Sequence, residues 1–241
     1  IGLATAKKFN EEQWRVIISS RNIENLNNAK NSILQNSNNN EVYLFECDII
    51  NQKQVNDVIN KIEKEIAPID IALLNAAAYS PNKSQEFDIN NYNLLIDVNL
   101  KGTLNCIDIL YKNMKKRSKG KIAIVSSPVG YRGLPTAGAY GMTKAGLINL
   151  AESLYFDLKK HGIKINLINP GFIKTKSTDL NSFSMPFIKS SNFAANQIFQ
   201  GLTKSNKFEI KFPYIFLMLL KFASILPYPI YFFIIKKITG L

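Results

Sequence analysis

The nine-residue stretch "GAYGMTKAG" (Gly138–Gly146) places Tyr140 four residues before Lys144. Residues four apart lie on one face of an α-helix, so the two side chains are expected to be neighbours. Tyrosine and lysine are both common on amphipathic helices, and the pair has no chemical meaning by itself. Its meaning depends on the polar residues that the rest of the chain brings to the same place.

Short apolar runs alternate with helical stretches on both sides of this pair. The runs are rich in β-branched residues, which is typical of strands that are covered on both faces. They are Trp14–Ser20, Glu41–Asp48, Ile69–Ala76, Gly120–Ser127 and Ile163–Pro170. Between them, as in residues 51–66, apolar side chains recur three to four positions apart, which indicates helices. The alternation predicts an α/β fold with a doubly wound parallel sheet and helices on both faces.

The composition narrows the class of protein. The 241 residues carry a formal charge of +12, but the lysines are spread along the chain, so we predict no nucleic-acid partner. Two cysteines, Cys47 and Cys106, and one histidine, His161, are too few for a disulfide framework or a His/Cys metal site. We therefore predict no metal and a reducing, cytoplasmic location.

Polar residues stand where the predicted strands end, which is where doubly wound sheets bind their ligands. They are Ser20 and Arg21, Asp48, Asn75, Ser127 and the turn Asn169–Thr175. Asn99 lies inside an apolar helical pattern, where an amide needs a structural or chemical reason. Tyr140 and Lys144 open the helical stretch that follows the Ser127 strand, so the sequence predicts one polar site at this edge of the sheet.

In chain order, Asn99, Ser127, Tyr140 and Lys144 match the active-site residues of the short-chain dehydrogenase/reductase family, with the serine thirteen residues before the tyrosine. The chain resembles this family over residues 1 to about 176. The segments "LNAAAY" and "PGFIKT" also resemble family motifs, although Leu74 and Ala77 depart from the first. The resemblance implies a Rossmann-like fold and hydride exchange with a nicotinamide cofactor.

A free tyrosine has a pKa of about 10, and a neighbouring ammonium favours the phenolate, so we expect Lys144 to lower the pKa of Tyr140. Tyr140 is then expected to donate a proton to a carbonyl oxygen that Ser127 also hydrogen-bonds. The resemblance implies further that Lys144 contacts the nicotinamide ribose and that Asn99 holds a water in a proton relay.

The end of the second family strand, here "IISSRN", predicts the choice of cofactor. An acidic residue there would bind the ribose 2′-OH, but Ser20 stands in its place and Arg21 follows, which favours NADP(H) over NAD(H). The alternative is that Arg21 only caps a solvated edge. The remaining cofactor contacts implied by the resemblance are Gly2, Asp48, Ile49, Asn75, Ala76, Pro170, Gly171, Ile173 and Thr175.

The family's phosphate-binding loop is the main departure. Only Gly2 matches its last glycine, and the first strand with most of the Gly-rich loop is missing from this sequence. Either the chain is a fragment of a longer product or it is a truncated protein, and the absence of an initial Met favours the fragment. We expect the chain as it stands to bind a dinucleotide poorly.

The C-terminal part divides at residue 213. Residues 1–212 are predicted to form the catalytic domain and residues 213–241 a hydrophobic tail. Within the domain, the resemblance implies that the segment Lys176–Ser191 forms a lid over the substrate, and its apolar residues suit a hydrophobic substrate. The alternative is that these residues simply pack on the core. The tail is split by Lys221 and two prolines into stretches too short to span a bilayer, which favours an interfacial hairpin. A buried subunit interface and one kinked spanning helix are the alternatives.

Together these patterns predict an NADP-dependent oxidoreductase that interconverts a carbonyl and an alcohol on a hydrophobic, lipid-like substrate. It is expected to be peripheral on a cytoplasmic membrane surface and, from the family resemblance, a homo-oligomer. The alternative function is a non-catalytic binding or scaffold protein that has this fold and has lost its cofactor loop.

Overall fold

In the computed structural model, which describes residues 1–35, 37–39, 41–81, 87–181, 183 and 185–240, all paired strands run parallel. The strands are β1 Val16–Ser20, β2 Val42–Glu46, β3 Ile71–Leu74, β4 Gly120–Val125, β5 Ile163–Pro170 and β6 Glu209–Phe212. The predicted α/β fold is confirmed. Every carboxyl end therefore lies at the same edge of its sheet.

The strands form two sheets, β1–β2 and β3–β4–β5–β6, in the described part of the chain. Strands β1 and β3 therefore each have a hydrogen-bonded neighbour on one side only.

Helices follow most strands. They are α1 Gly2–Glu11, α2 Ile23–Leu34, α3 Gln52–Glu65, α4 Ile89–Leu95, α5 Gly102–Lys116, α6 Gly138–Lys159, α7 Ser191–Thr203, α8 Tyr214–Ser224 and α9 Tyr228–Thr239. Between α4 and α5, residues Ile96–Lys101 wind as a π-helix. Asparagine side chains begin two of the helices: Asn22 accepts a hydrogen bond from the backbone of Asn25, and Asn51 from that of Gln54.

Strand β4 shows why both faces of the larger sheet are covered. Successive side chains point to opposite faces. Ile122 and Ile124 join a core built with α3, α5 and α6, whereas Ala123 and Val125 join a second core built with α7 and partly with α1. The helices therefore lie on both faces, as the doubly wound arrangement requires, and they hold the carboxyl edge in a fixed geometry.

The tail forms a hairpin of two helices, α8 and α9, with the break at Pro227. In the described residues no helix combines the length and the apolar character that crossing a bilayer requires. Lys221 does not stand alone in its apolar helix, because its Nζ lies 2.8 Å from Oε2 of Glu209 on β6. Residues 182 and 184 of the predicted lid and residue 241 of the tail lie outside the described residues.

Candidate active site

Helix α6 carries both members of the Tyr–Lys pair in its first two turns. Lys144 Nζ lies 5.4 Å from the centroid of the Tyr140 ring and donates a hydrogen bond to the carbonyl of Val125, the last residue of β4, at 2.9 Å. Only 2% of the Lys144 surface is exposed. The ammonium is thus held between the end of a strand and the phenol.

Burial changes the ionisation of both groups. It lowers the pKa of Lys144 to about 8, because an apolar environment disfavours the cation. Burial also raises the pKa of Tyr140, with a smaller contribution from neighbouring Tyr79, while a hydrogen bond with Ser127 acts in the opposite direction. The prediction that Lys144 lowers the pKa of Tyr140 is therefore wrong for this structure, since burial of the phenol outweighs any effect of the ammonium.

Asn99 lies directly beneath this pair, in the π-helix, and is fully buried. Its Oδ1 accepts a hydrogen bond from the backbone N–H of Ala78 at 2.8 Å, and its Nδ2 donates to the Ala78 carbonyl and to Oγ1 of Thr143, each at 3.1 Å. Single π-helical turns are common at functional sites. The amide therefore joins the segment after β3 to α6 next to Lys144, and its predicted water relay stays a prediction.

Ser127 and Tyr79 approach Tyr140 from two sides. Ser127 caps a short 3₁₀-helix, Pro128–Gly130, and its side chain lies close enough to Tyr140 to act on the pKa of the phenol. The Tyr79 ring packs edge-on against the Tyr140 ring with centroids 4.8 Å apart, and its hydroxyl lies 2.5 Å from Oδ1 of Asn181. Tyr79 was not predicted, because no spacing rule connects it to Tyr140. Its only signal was its position at the end of "LNAAAY".

The predicted NADP determinants lie at the carboxyl end of β1. Ser20 is the last residue of the strand, and its hydroxyl lies 3.2 Å from the Asn22 carbonyl. Arg21 is exposed, and within the described ranges it pairs with no carboxylate. Its guanidinium is thus available to an anionic group at this edge.

Asp48 and Ile49 follow the neighbouring strand, β2. Asp48 Oδ1 accepts a hydrogen bond from the Ile50 backbone at 3.1 Å, and Asn105 of α5 donates to the Ile49 carbonyl at 2.9 Å. These contacts shape a turn beside β1. Asn105 was also missed by the sequence analysis, since it lies far from Ile49 along the chain.

The start of α1 packs closely against the end of β3, at the edge of the sheet where the cofactor is predicted to bind. A Cβ atom on Gly2 would lie 2.7 Å from Nδ2 of Asn75, so only glycine fits there without displacing that side chain. Ala76, the next residue, is exposed. The N-terminus of α1 and the end of β3 are therefore adjacent, as the cofactor prediction requires.

The turn after β5 continues from Pro170 into an irregular segment. The Gly171 backbone donates to the carbonyl of Phe212 at 2.8 Å, and Ile173 is buried. The backbone of Thr175 donates to Thr178 Oγ1 at 2.9 Å. The structure thus places these predicted cofactor-binding residues at the same edge as Ser127, although their contact with a cofactor stays a prediction.

Part of the predicted lid is strongly exposed. Phe183 and Phe187 are 51% and 59% exposed, and the Phe216 ring on α8 lies 5.7 Å from that of Phe187. Phe172 lies 5.9 Å from Phe183 and 5.8 Å from Phe216. The lid and the hairpin therefore meet in one aromatic cluster, rather than in the core of the domain.

Known proteins share this sequence and architecture. The short chain dehydrogenase family model matches residues 1–183. An oxidoreductase of Staphylococcus aureus (strain MW2) is 29% identical over 178 residues, which cover 74% of this chain and 75% of that protein. One from Myxococcus xanthus (strain DK1622) is 28% identical over 186 residues, covering 77% and 73% respectively.

A solved structure of ElxO with NADP bound is also similar, with 27% identity and a TM-score of 0.79. The match covers 89% of this chain and 94% of that chain. The family match covers more than half of the chain and ends in the lid, after all four catalytic candidates. The protein is an oxidoreductase that belongs to the short-chain dehydrogenase family.

Proposed function

We propose that the protein interconverts a carbonyl and an alcohol with NADP(H), on a hydrophobic, lipid-like substrate. The observation that carries this proposal is the packing of Tyr140 against the buried ammonium of Lys144, near Ser127, at the carboxyl edge of the sheet. A non-catalytic protein would have no need to bury a lysine ammonium beside a phenol.

In this proposal Tyr140 is the acid. Its raised pKa keeps the hydroxyl protonated at neutral pH, so it can give its proton to the oxygen of a carbonyl while Ser127 hydrogen-bonds the same oxygen. The nicotinamide, when bound, supplies the hydride that the carbonyl carbon receives. Asn99 links α6 to the segment after β3 by hydrogen bonds, and so holds Tyr140, the acid, in position.

The residues for the cofactor lie along the same edge. Arg21 and Ser20 would hold the 2′-phosphate, Asp48 and Ile49 the adenine, and Lys144 the nicotinamide ribose. Thr175 and the backbone of Ile173 would hold the carboxamide, and Pro170, Gly171, Gly2, Asn75 and Ala76 would make the remaining cofactor contacts. Arg21 is exposed and pairs with no carboxylate among the described residues, which supports the preference for NADP, as does the NADP bound to similar ElxO.

The tail supports the proposal of a membrane-peripheral enzyme. One face of α8 and most of α9 are apolar and exposed: Ile215 is 74%, Phe222 63% and Phe233 70% exposed. Residues 213–241 contain lysines but no acidic residue. Such a surface suits insertion between anionic headgroups, with the protein on the cytoplasmic side. Assembly into a homo-oligomer remains part of the proposal from family resemblance.

Replacing the acid should abolish turnover without unfolding the protein. We expect Tyr140→Phe to lower kcat by about 10²–10⁴, the usual contribution of general acid catalysis, with little change in Tm. NADPH oxidation with a panel of lipid carbonyls measures this. Tyr155→Phe, on the same helix, is the matched control and should keep its activity. Equal kcat values for the Tyr140 variant and the wild type would contradict the assignment.

Arg21 should discriminate between the two cofactors. A charge-assisted hydrogen bond contributes about 1.5–3 kcal/mol, so Arg21→Ala should raise the KM for NADPH by about tenfold or more. The KM for NADH should change little, because NADH has no 2′-phosphate. An equal rise for both cofactors would show that Arg21 supports the fold of this edge and does not select NADP.

The lowered pKa of Lys144 predicts the alkaline limb of the pH profile. A cationic group whose pKa is lowered loses its proton at a lower pH than usual. The Lys144 ammonium is therefore present below about pH 8 and lost above it. The kcat/KM for carbonyl reduction should therefore fall as pH rises through about 8, before Tyr140, with its raised pKa, ionises. The measurement is a pH–rate profile from 6 to 10. A flat profile would contradict a role for the ammonium.

The exposed face of α8 should control membrane binding. Replacing Ile215 and Phe222 by Ser removes apolar surface worth about 1.5–3 kcal/mol per buried side chain, so the double variant should partition into anionic vesicles at least tenfold less. The control is Phe156→Ser, an equally exposed phenylalanine on α6. Unchanged vesicle binding, or a wild-type dimer that the double variant dissociates, would favour a subunit interface instead.

A further inference from the structure

The loop between Ser127 and Tyr140 is tied to the C-terminal hairpin by three consecutive residues. The first tie is made by Arg132. Its Nη1 donates to the carbonyls of Ala223, Ser224 and Leu226, at 3.2, 3.0 and 2.5 Å. The last carbonyls of a helix have no partners within the helix and carry partial negative charge. Arg132 therefore closes the end of α8.

Arg132 also contacts the second helix of the hairpin. Its guanidinium carbon lies 4.0 Å from the ring centroid of Tyr231 and 4.8 Å from that of Tyr228. Tyr231 is almost fully buried, and its hydroxyl donates to the Gly133 carbonyl at 2.6 Å. One cation and one hydroxyl thus join α9 to this loop, in contacts that desolvation strengthens.

Tyr131 makes the third tie, through Glu209 on β6. The Tyr131 hydroxyl lies 2.5 Å from Oε1 of Glu209, whose Oε2 pairs with Lys221 of α8. Burial would raise the pKa of Glu209, but hydrogen bonds from Lys221, Tyr131 and Asn169 bring it to about 2. The carboxylate therefore stays charged and holds the loop and α8 together at neutral pH.

The hairpin also contacts the loop on the other side of the site. A Cβ on Gly171 would lie 3.1 Å from Cδ of Pro213 and 3.4 Å from Cδ1 of Leu217, so the turn after β5 packs closely under α8. Phe216 of α8 meets Phe172 in the aromatic cluster. Helix α8 thus touches the loop that follows Ser127, beyond β4, and the turn that follows Pro170 at the end of β5.

We propose that the α8–α9 hairpin positions the active site, and that Arg132 is the positioning residue through which it holds the loop of residues 128–137. This inference rests on the proposed function, because the loop connects Ser127 to Tyr140, the two residues that the proposed function places at the substrate carbonyl. Small displacements of a reacting geometry lower rates strongly. The inner face of the hairpin then serves catalysis, and its exposed apolar face serves membrane binding.

The test separates these two faces. Arg132→Gln removes the guanidinium and its charge but keeps a polar amide, and Arg132→Lys restores a cation that can still donate to the α8 carbonyls. Arg15→Gln, at an exposed ion pair with Glu41, is the matched control. For each full-length variant we would measure amide hydrogen exchange in residues 128–137, kcat and KM with a water-soluble aldehyde, and binding to anionic vesicles.

We expect Arg132→Gln to speed exchange in residues 128–137 at least tenfold and to lower kcat at least tenfold, with less than a twofold change in the KM for NADPH. Vesicle binding should stay as in the wild type. Arg132→Lys should recover part of both losses, and Arg15→Gln should match the wild type. Unchanged exchange and kcat in Arg132→Gln would overturn the inference.

A second variant applies if Arg132→Gln unfolds the whole chain. Tyr231→Phe removes only the hydroxyl that bonds Gly133, and it should speed exchange in residues 128–137 while the sheet stays protected. Unchanged exchange in that variant would then overturn the inference. Hydrogen exchange needs no turnover. A wild-type protein that reduces no carbonyl would therefore contradict the proposed function and leave the exchange result to decide the role of Arg132.

Discussion

The site depends on a buried ammonium that lies beside a half-buried phenol at the end of β4. The cost of desolvating Lys144 is offset by the Val125 carbonyl, which its Nζ reaches at 2.9 Å. The packing around it leaves little freedom. A Cβ on Gly130 would lie 2.6 Å from the backbone carbon of Lys144, so the 3₁₀-helix after Ser127 rests directly on α6. The sheet, the 3₁₀-helix and α6 thus fix the three reacting groups together.

The same burial sets the chemistry. A phenol that stays protonated at neutral pH can donate a proton, and an ammonium whose pKa is lowered to about 8 is close to losing its own. The two groups therefore have different protonation behaviour although they are neighbours on one helix. Environments that push pKa values apart are how paired groups acquire separate roles in acid–base chemistry.

Local patterns were enough to predict the strands, the helices and the positions of Ser127, Tyr140 and Lys144, because those signals are short-range periodicity and spacing. They were not enough to predict the pKa of Tyr140, since the direction of its shift depends on how much of the ring and hydroxyl the fold covers. Tyr79 and Arg132 were missed for a related reason. Their partners, Asn181 and the end of α8, lie about one hundred residues away along the chain.

The tail shows both what local sequence patterns predicted and what they could not. Its division at the prolines was visible as a break in an apolar run, and the structure has a helix on each side of it. The partner of Lys221 was not visible, because Glu209 is a single carboxylate on a strand of mixed residues. Because of that ion pair, Lys221 anchors α8 to the domain, and the apolar residues on the opposite face are available to contact a membrane surface.

The most direct test of the central claim is a titration of Tyr140 itself. The protein would be labelled with ¹³C at Cζ of tyrosine, the Tyr140 resonance assigned by its loss in Tyr140→Phe, and its chemical shift followed from pH 6 to 11. If burial dominates, the resonance keeps the shift of the protonated phenol past pH 10, the ordinary range of free tyrosine. A midpoint near neutral pH would show that the Lys144 ammonium lowers the pKa of Tyr140, and would contradict the claim that burial determines it.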